Sequence, residues 1–163
     1  MRPLQRGKIR VVIDYVREPS NVVGKLNSAR DAARLFQGYR EAMRLPTSKE
    51  AFLVACLDTR HQCLAIETVS IGSLSASIVH PREVFRPAVV LAASAIVIAH
   101  NHPSGHPAPS AEDEAVTDRL REVGSILGIP CLDHVILGEA TFYSFAEGRE
   151  IVYGTGEPGG SVF

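Results

Sequence analysis

Two histidines that are separated by a single residue follow directly after an apolar run in the chain. The apolar run, residues 95–99 with the sequence AIVIA, predicts a buried strand. If that strand continues to His102, the alternation of side chains places His100 and His102 on one face and Asn101 on the other. Because imidazole nitrogens are common ligands of transition metals, the pair predicts half of a metal site.

Asp113, eleven residues after His102, is the third candidate ligand. It lies in the first turn of a helix predicted from Ser110 to about Leu127, within about a quarter turn of the apolar stripe of that helix. A carboxylate directed toward a buried side is costly without a cationic partner. Two imidazoles and one carboxylate form a three-ligand set with an open fourth position, which favours zinc, although manganese, iron and cobalt accept the same ligand types. The apolar stripe consists of Val116, Leu120, Val123 and Leu127.

Two simpler explanations account for part of this pattern. Pro103 and Gly105 are typical of a polar turn after a strand. Ser110 and Asp113 also match a capping box, in which the aspartate complements the helix dipole. Neither explanation accounts for two histidines that precede a core-directed aspartate, so we predict a metal site. A divalent metal held in this way activates a water molecule and polarises a carbonyl group, as amide hydrolysis requires.

The composition is that of a single globular domain. The 163 residues are 45% hydrophobic and 21% charged, which is enough to bury a core without disulfides. A formal net charge of -1 provides no overall attraction for nucleic acid or anionic membranes. The three cysteines form no C-x-x-C pair, and no signal-peptide pattern begins the chain, so we expect a reduced, cytoplasmic protein. The longest apolar stretch, residues 88–99, is shorter than the roughly 20 residues of a membrane-spanning helix.

Predicted strands and helices alternate along the chain in a way that is typical of an α/β fold with a mixed β-sheet flanked by helices. Caps and helical periodicity predict helices from Ser28 to about Leu45 and from Pro81 to about Ala93. We expect one domain at residues 26–150, with residues 1–25 as part of the same fold or an extension and residues 151–163 as a flexible tail. Strands are predicted at residues 8–16, 51–57, 63–70, 75–79, 131–137 and 141–145.

The first predicted helix has an apolar face and a basic face. The apolar face consists of Ala32, Leu35, Phe36, Tyr39, Ala42 and Met43. The basic face consists of Arg30, Arg34, Arg40 and Arg44, with Glu41 among them. Because an exposed helix face is ordinarily charged without binding anything, nucleic acid is a weakly supported partner.

The fuller motif resembles a known family. The residues His100-Asn101-His102-Pro103, Ser110 and Asp113 fit H-x-H-P-x6-S-x2-D, the signature of the JAMM (JAB or MPN+) metalloproteins. The segments AHNHPSGHPAPSAEDEAVTDRL, HPREVFRPA and LDHVILGEATFYSFAEG are similar to the RadC-like branch of that family, and the match covers roughly residues 26 to 150. The resemblance implies a JAB/MPN (cytidine-deaminase-like) architecture and a zinc-dependent hydrolase, with His100, His102 and Asp113 as ligands.

The resemblance also implies a stabiliser of the oxyanion, Ser110, and an upstream glutamate that acts on the bound water. Glu50, directly before the apolar residues 51–54, matches the position of that glutamate, although residues 47–50 also fit a solvated turn. A carboxylate in this place can accept a proton from water and pass it to a leaving amine. Glu67 and Glu83 are the alternative bases, and Ser104 is the alternative hydroxyl.

Two further histidines receive no catalytic role from the sequence. His134 belongs to the matching text, and we expect it to pack at a strand end. His106 departs from the small polar or acidic residue expected in the RadC-like text. A solvated side chain is the preferred interpretation of His106, and a proton shuttle or adventitious metal binding are the alternatives.

Several functional classes compete with the hydrolase. A nucleobase deaminase is rejected because H-x-E and P-C-x-x-C are missing. A nuclease-like or DNA-associated RadC-type protein, and a non-catalytic scaffold of the JAB type, stay as alternatives. RadC-like proteins often carry a helix-hairpin-helix-type region before the metal domain, and we expect none here. The prediction is a zinc metallopeptidase or isopeptidase that acts on a peptide or protein substrate.

Overall fold

The computed structural model describes residues 24–72 and 79–154 of the chain. These ranges form a six-stranded mixed sheet flanked by three helices, so the predicted α/β class is confirmed. The strand order is β2-β1-β3-β4-β5-β6, in which β3 and β4 pair in parallel and the other neighbours are antiparallel. The elements are α1 (Ala29–Ala42), β1 (Glu50–Leu57), β2 (Cys63–Gly72), α2 (Pro81–Val90), β3 (Ala95–Asn101), α3 (Ala111–Leu127), β4 (Cys131–Leu137), β5 (Thr141–Ser144) and β6 (Arg149–Val152).

The two central strands, β1 and β3, explain why the sequence shows continuous apolar runs rather than alternation. Every residue of β3 is buried, and so is every residue of β1 after Glu50. A strand that is covered on both faces needs apolar side chains on both faces. The two polar residues at the end of β3, His100 and Asn101, are therefore buried as well.

The sheet separates two apolar cores. On one face, α1 packs with residues such as Phe36 against the strands. On the other face, α2 and α3 contribute Phe85 and Leu120 to a second core, which includes Ile98 of β3. Since alternate residues of a strand share a face, His100 follows Ile98 toward α2 and α3.

The first helix is shorter than predicted. It ends at Ala42 rather than near Leu45, because the chain turns at Arg44, whose φ of 52° lies in the left-handed region. Ala42 and Met43 are consequently exposed, and the prediction that they belong to the apolar face is wrong.

Other boundaries differ by a few residues, and one strand is additional. The second helix ends at Val90, three residues before its predicted end, ahead of a left-handed residue at Ala92 (φ 50°). Leu127 was expected on the apolar stripe of α3 but is 46% exposed. The unpredicted strand β6 includes the first two residues of the predicted tail. Ile151 is the one buried residue of β6, so the sequence of this strand shows no alternation of apolar and polar residues.

Some of the predicted elements cannot be compared with the structure. The strand at residues 8–16, most of the strand at residues 75–79, and residues 155–163 lie outside the described residues. Across the described ranges, no helix combines the length and apolar character needed to cross a membrane.

Candidate metal centre

The end of β3 directs two histidines toward the N-terminus of α3. His100 is fully buried and His102 is partly buried. Asn101 faces the opposite way, as the strand alternation predicts. Its side chain accepts a hydrogen bond from the backbone N–H of Ala51 and donates one to the backbone carbonyl of Lys49, both at 3.0 Å. These two bonds hold the end of β3 to the start of β1.

The first turn of α3 places a carboxylate opposite the two histidines. Ser110 and Asp113 form a capping box in which the Ser110 backbone N–H and hydroxyl each donate to Asp113 Oδ2 at 2.7 Å. The Asp113 N–H donates to Ser110 Oγ at 3.2 Å in return. The cap leaves Asp113 Oδ1 directed at His100 Nε2, 3.1 Å away. The capping interpretation of Asp113 is therefore confirmed, and the same geometry leaves Oδ1 free of the cap and directed at the candidate ligands.

The structure brings the three predicted ligands together. His100 Nε2 lies 3.0 Å from His102 Nε2, and His102 Nε2 lies 3.4 Å from Asp113 Oδ2. One ligand atom of each residue lies within 4.8 Å of the other two, so the group could hold a metal ion. Two nitrogens and one carboxylate oxygen suit a divalent transition metal.

A second hydrogen bond of His102 determines which of its nitrogens faces the site. His102 Nδ1 lies 2.8 Å from the backbone carbonyl oxygen of His106. Because a carbonyl only accepts, Nδ1 carries a proton and donates it. Nε2 is then the ring nitrogen that faces Asp113 and the site. The imidazole of His106 itself is exposed, which agrees with its predicted solvated position.

The carboxylate and the imidazoles shift each other's pKa. Burial disfavours the ionised form of Asp113, but hydrogen bonds from His100 and His102 outweigh burial and hold the pKa of that carboxyl well below its usual range. The hydrogen bond with Asp113 also raises the pKa of His102 above 6.5. The site therefore favours a positive charge among these three residues.

Glu50, the predicted general base, begins β1 on the face of the sheet that carries the ligands. Phe52, two residues later, pairs with His100 and stacks parallel to its ring with centroids 6.1 Å apart. Alternate residues share a face, so Glu50 is on the same side of the sheet as Phe52 and His100, and the same register extended by two residues would pair it with His102. The charge of Glu50 contributes to the raised pKa of His102, which is consistent with this placement.

The alternative candidates have other partners. Glu67 of β2 forms an ion pair with Arg86 of α2, and Glu83 forms one with Arg86 within α2. Ser104 is exposed and accepts a hydrogen bond from a backbone N–H of its own loop. Among the candidate bases, Glu50 is the one aligned with the ligands, and its catalytic role stays a prediction.

The prediction that His134 packs at a strand end is wrong. His134 is fully buried within β4; its Nε2 lies 2.8 Å from His100 Nδ1, and its Nδ1 lies 2.6 Å from Thr117 Oγ1. Burial, with the charge of His100 acting in the same direction, lowers the pKa of His134 well below 6.5. The only sequence signal for the contact between His134 and Thr117 is that Thr117 lies one helical turn after Asp113, on the same side of the helix.

A cavity of about 510 Å³ adjoins one of the candidate ligands, His102. Its lining includes Arg40, Thr47, Ser48, His102 and Glu139. Arg40 is half-buried, and its Nε has no hydrogen-bond partner in the part of the chain that the structure describes. Burial also lowers the pKa of Arg40. The cavity thus combines a poorly solvated cation with a candidate metal ligand.

The four arginines of the predicted basic face do not form one exposed face, and Arg44 lies after the end of α1. Arg34 and Arg44 are exposed, whereas Arg30 and Arg40 are half-buried. Arg30 donates a hydrogen bond to the backbone carbonyl of Val152 in β6 at 3.4 Å. The arginines of the predicted basic face therefore lie in three different surroundings: solvent, the last strand and the cavity.

Comparison with known proteins relates the whole arrangement to one family. A family model described as "RadC-like JAB domain" matches residues 26–151. A UPF0758 protein of Alkaliphilus metalliredigens is 50% identical over 123 residues, which are 76% of this chain and 51% of the relative. UPF0758 proteins of Caldanaerobacter subterraneus and Methanosarcina mazei are 57% and 44% identical over 61% and 82% of this chain, and over 43% and 55% of their own lengths. The chain spans about half the length of the curated relatives it matches.

Proposed function

Because this chain belongs to the family of RadC-like JAB domains, we propose that it is a zinc-dependent metallohydrolase that cleaves an amide bond in a peptide or protein. In this proposal His100, His102 and Asp113 hold the metal, Glu50 is the general base, and Ser110 stabilises the oxyanion. The reaction is that of a peptidase or isopeptidase.

The convergence of three potential metal ligands is the observation that carries this proposal. His100 Nε2, His102 Nε2 and the Asp113 carboxylate oxygens lie 3.0 to 3.4 Å apart. A buried carboxylate beside two imidazoles favours a positive charge among them, which a divalent cation would supply. Three protein ligands with an open fourth position are the arrangement of a catalytic zinc site.

The chain's own residues supply the steps that accompany metal binding. When bound, the metal would act as a Lewis acid that polarises a carbonyl group and activates a water molecule. Glu50 accepts the proton of the attacking water and transfers it to the leaving amine. Ser110 donates its hydroxyl proton to Asp113 Oδ2 in this structure, so its hydroxyl must rotate away from Asp113 before it can donate to an oxyanion.

The cavity beside His102 is the place where we expect the substrate. Arg40 offers a guanidinium, and the side chains of Thr47 and Ser48 add two hydroxyl groups. A guanidinium matches a carboxylate in charge and in geometry. These donors favour a polar peptide that carries a carboxylate over an apolar substrate.

Metal analysis tests the proposal first. Protein purified, chelated and reloaded with zinc should retain about one zinc per chain. It should cleave members of a peptide library or a ubiquitin-like conjugate, and chelation should abolish the cleavage. A wild-type protein that takes up no divalent metal overturns the proposal and leaves the non-catalytic scaffold.

A substitution at Glu50 tests the assignment of the base. Glu50→Gln should retain the metal while turnover falls by about 100-fold or more, because a positioned base contributes that factor. Glu112→Gln changes the same charge at an exposed position of α3 and should leave turnover unchanged. Full turnover in Glu50→Gln means that another group is the base.

A further inference from the structure

His134 and Thr117 connect two of the candidate ligands through a continuous chain of hydrogen bonds. The chain runs from His100 Nδ1 to His134 Nε2 (2.8 Å), from His134 Nδ1 to Thr117 Oγ1 (2.6 Å), and from Thr117 Oγ1 to the backbone carbonyl of Asp113 (2.6 Å). All four residues are buried, so bulk water does not compete for these bonds.

The chemistry of the groups gives this chain one direction. The Asp113 carbonyl only accepts, so Thr117 donates its single hydroxyl proton there and its oxygen accepts from His134 Nδ1–H. Nδ1 is thereby the donor nitrogen of the His134 ring, which leaves Nε2 as the acceptor for His100 Nδ1–H. His100 Nε2 is then the nitrogen that faces the metal site.

We propose that His134 and Thr117 are positioning residues of the metal centre, which fix the tautomer and the ring orientation of His100 so that its Nε2 faces the metal. The inference rests on the proposed role of His100 and Asp113 as metal ligands. Ligating histidines ordinarily donate their second N–H to a carboxylate, a backbone carbonyl or water. Here the imidazole of His134 occupies that place, and Thr117 links it to the backbone of the helix that carries Asp113.

The surroundings hold the imidazole of His134 in place. Its ring stacks on Phe145, with centroids 5.0 Å apart and an interplanar angle of 12°. Its backbone N–H donates to Asp133 Oδ1 at 2.7 Å, and Asp133 Oδ2 accepts from the Ser144 hydroxyl at 2.7 Å. The bond to Asp133 holds the backbone of His134, and the stacked ring of Phe145 restricts the imidazole that faces His100.

Zinc affinity is the first measurement. Thr117→Val keeps the shape of the side chain but removes the acceptor for His134 Nδ1–H, and His134→Phe keeps a ring but removes the acceptor for His100 Nδ1–H. We expect the Kd for zinc to rise about tenfold in Thr117→Val and about tenfold to a hundredfold in His134→Phe. Thr117→Ser, which retains the hydroxyl, should bind zinc close to the wild-type level.

A matched control addresses general destabilisation. Thr68→Val removes a part-buried hydroxyl that bonds Tyr39 at 3.2 Å on the α1 side of the sheet. It should leave the Kd for zinc unchanged. His134→Gln, whose side-chain carbonyl can accept from His100, should bind zinc more tightly than His134→Phe, and circular dichroism checks that each variant folds.

The tautomers give a readout that a merely structural role does not move. In zinc-loaded protein labelled with ¹⁵N-histidine, two-bond ¹H–¹⁵N spectra should show His134 neutral with its proton on Nδ1, and His100 protonated on Nδ1. A proton on His134 Nε2 overturns the inference. So does an unchanged Kd in both Thr117→Val and His134→Phe, whereas a wild-type protein that binds no zinc overturns the proposed function instead.

Discussion

Replacing Asp113 with asparagine should separate metal binding from folding. The asparagine oxygen can keep both hydrogen bonds that Ser110 donates to Oδ2 at 2.7 Å. The amide nitrogen then takes the place of Oδ1, which lies 3.1 Å from His100 Nε2. Because an amide nitrogen donates a hydrogen bond where a metal ligand must accept, the variant should fold but lose its metal site.

The size of the effect follows from the linkage between binding and stability. Zinc at about 100 times its Kd should raise the free energy of unfolding of the wild type by about 2.7 kcal/mol. For a chain of this length, that gain corresponds to a rise in Tm of about 5–11 °C. If Asp113→Asn weakens binding by about 100-fold, the same zinc concentration contributes about 0.4 kcal/mol, or about 1–2 °C.

Thermal unfolding followed by circular dichroism measures this difference, on chelator-treated protein with and without zinc. Asp118→Asn is the matched control, since Asp118 lies on the same helix, carries the same charge and is exposed. It should show the full wild-type shift. A zinc-induced shift of equal size in Asp113→Asn and in the wild type refutes the assignment of Asp113 as a ligand.

Three further predictions concern the same residues. Ser110→Ala should lower the free energy of unfolding by about 1 kcal/mol in urea titrations, through loss of the helix cap, and a wild-type value would contradict the capping geometry. In metal-free protein, the raised pKa of His102 provides stability below pH 6.5 that is lost as the pH rises, and the lowered pKa of Asp113 provides stability above pH 3.8 that is lost as the pH falls; Tm should therefore be highest between these values, and a flat profile counts against the coupling. Arg40→Gln should raise KM for a carboxylate-bearing peptide about tenfold with kcat little changed, while Arg34→Gln, exposed on the same helix, should leave both unchanged.

The convergence of the three candidate ligands could be predicted because its geometry is local. His100 and His102 are two residues apart on one strand, so the pleat alone puts them on one face. Asp113 is the third residue of a helix with a strong N-cap, so its direction relative to the apolar stripe follows from 100° per residue. The remaining step, that the loop after β3 returns to the same place, required no more than a short connection.

His134 could not be assigned because its role depends on a parallel register. Its position opposite Ile98 is set by how the crossover through α3 places β4 beside β3. No local pattern encodes that register, and a lone histidine in an apolar strand has the same appearance whether it contacts a ligand or fills a core. Its partner Thr117 is equally indistinct in sequence, because threonine on a helix commonly bonds the carbonyl one turn before it, as this one does at 2.6 Å.

The basic face of the first helix is a case in which the helical period was predicted correctly but the exposure of the arginines was not. Arg30 and Arg40 are on the side of the helix that the 3.6-residue period predicts, but other segments of the same chain partly cover them. β6 accepts a bond from Arg30, and Arg40 is drawn into the wall of the cavity beside His102. The helical period gives the direction in which a side chain leaves the helix but not its surroundings. It therefore cannot distinguish a solvated arginine from one that lines a cavity. Of the arginines that suggested nucleic acid from the sequence, Arg40 is therefore the one that we propose as an anchor for the substrate.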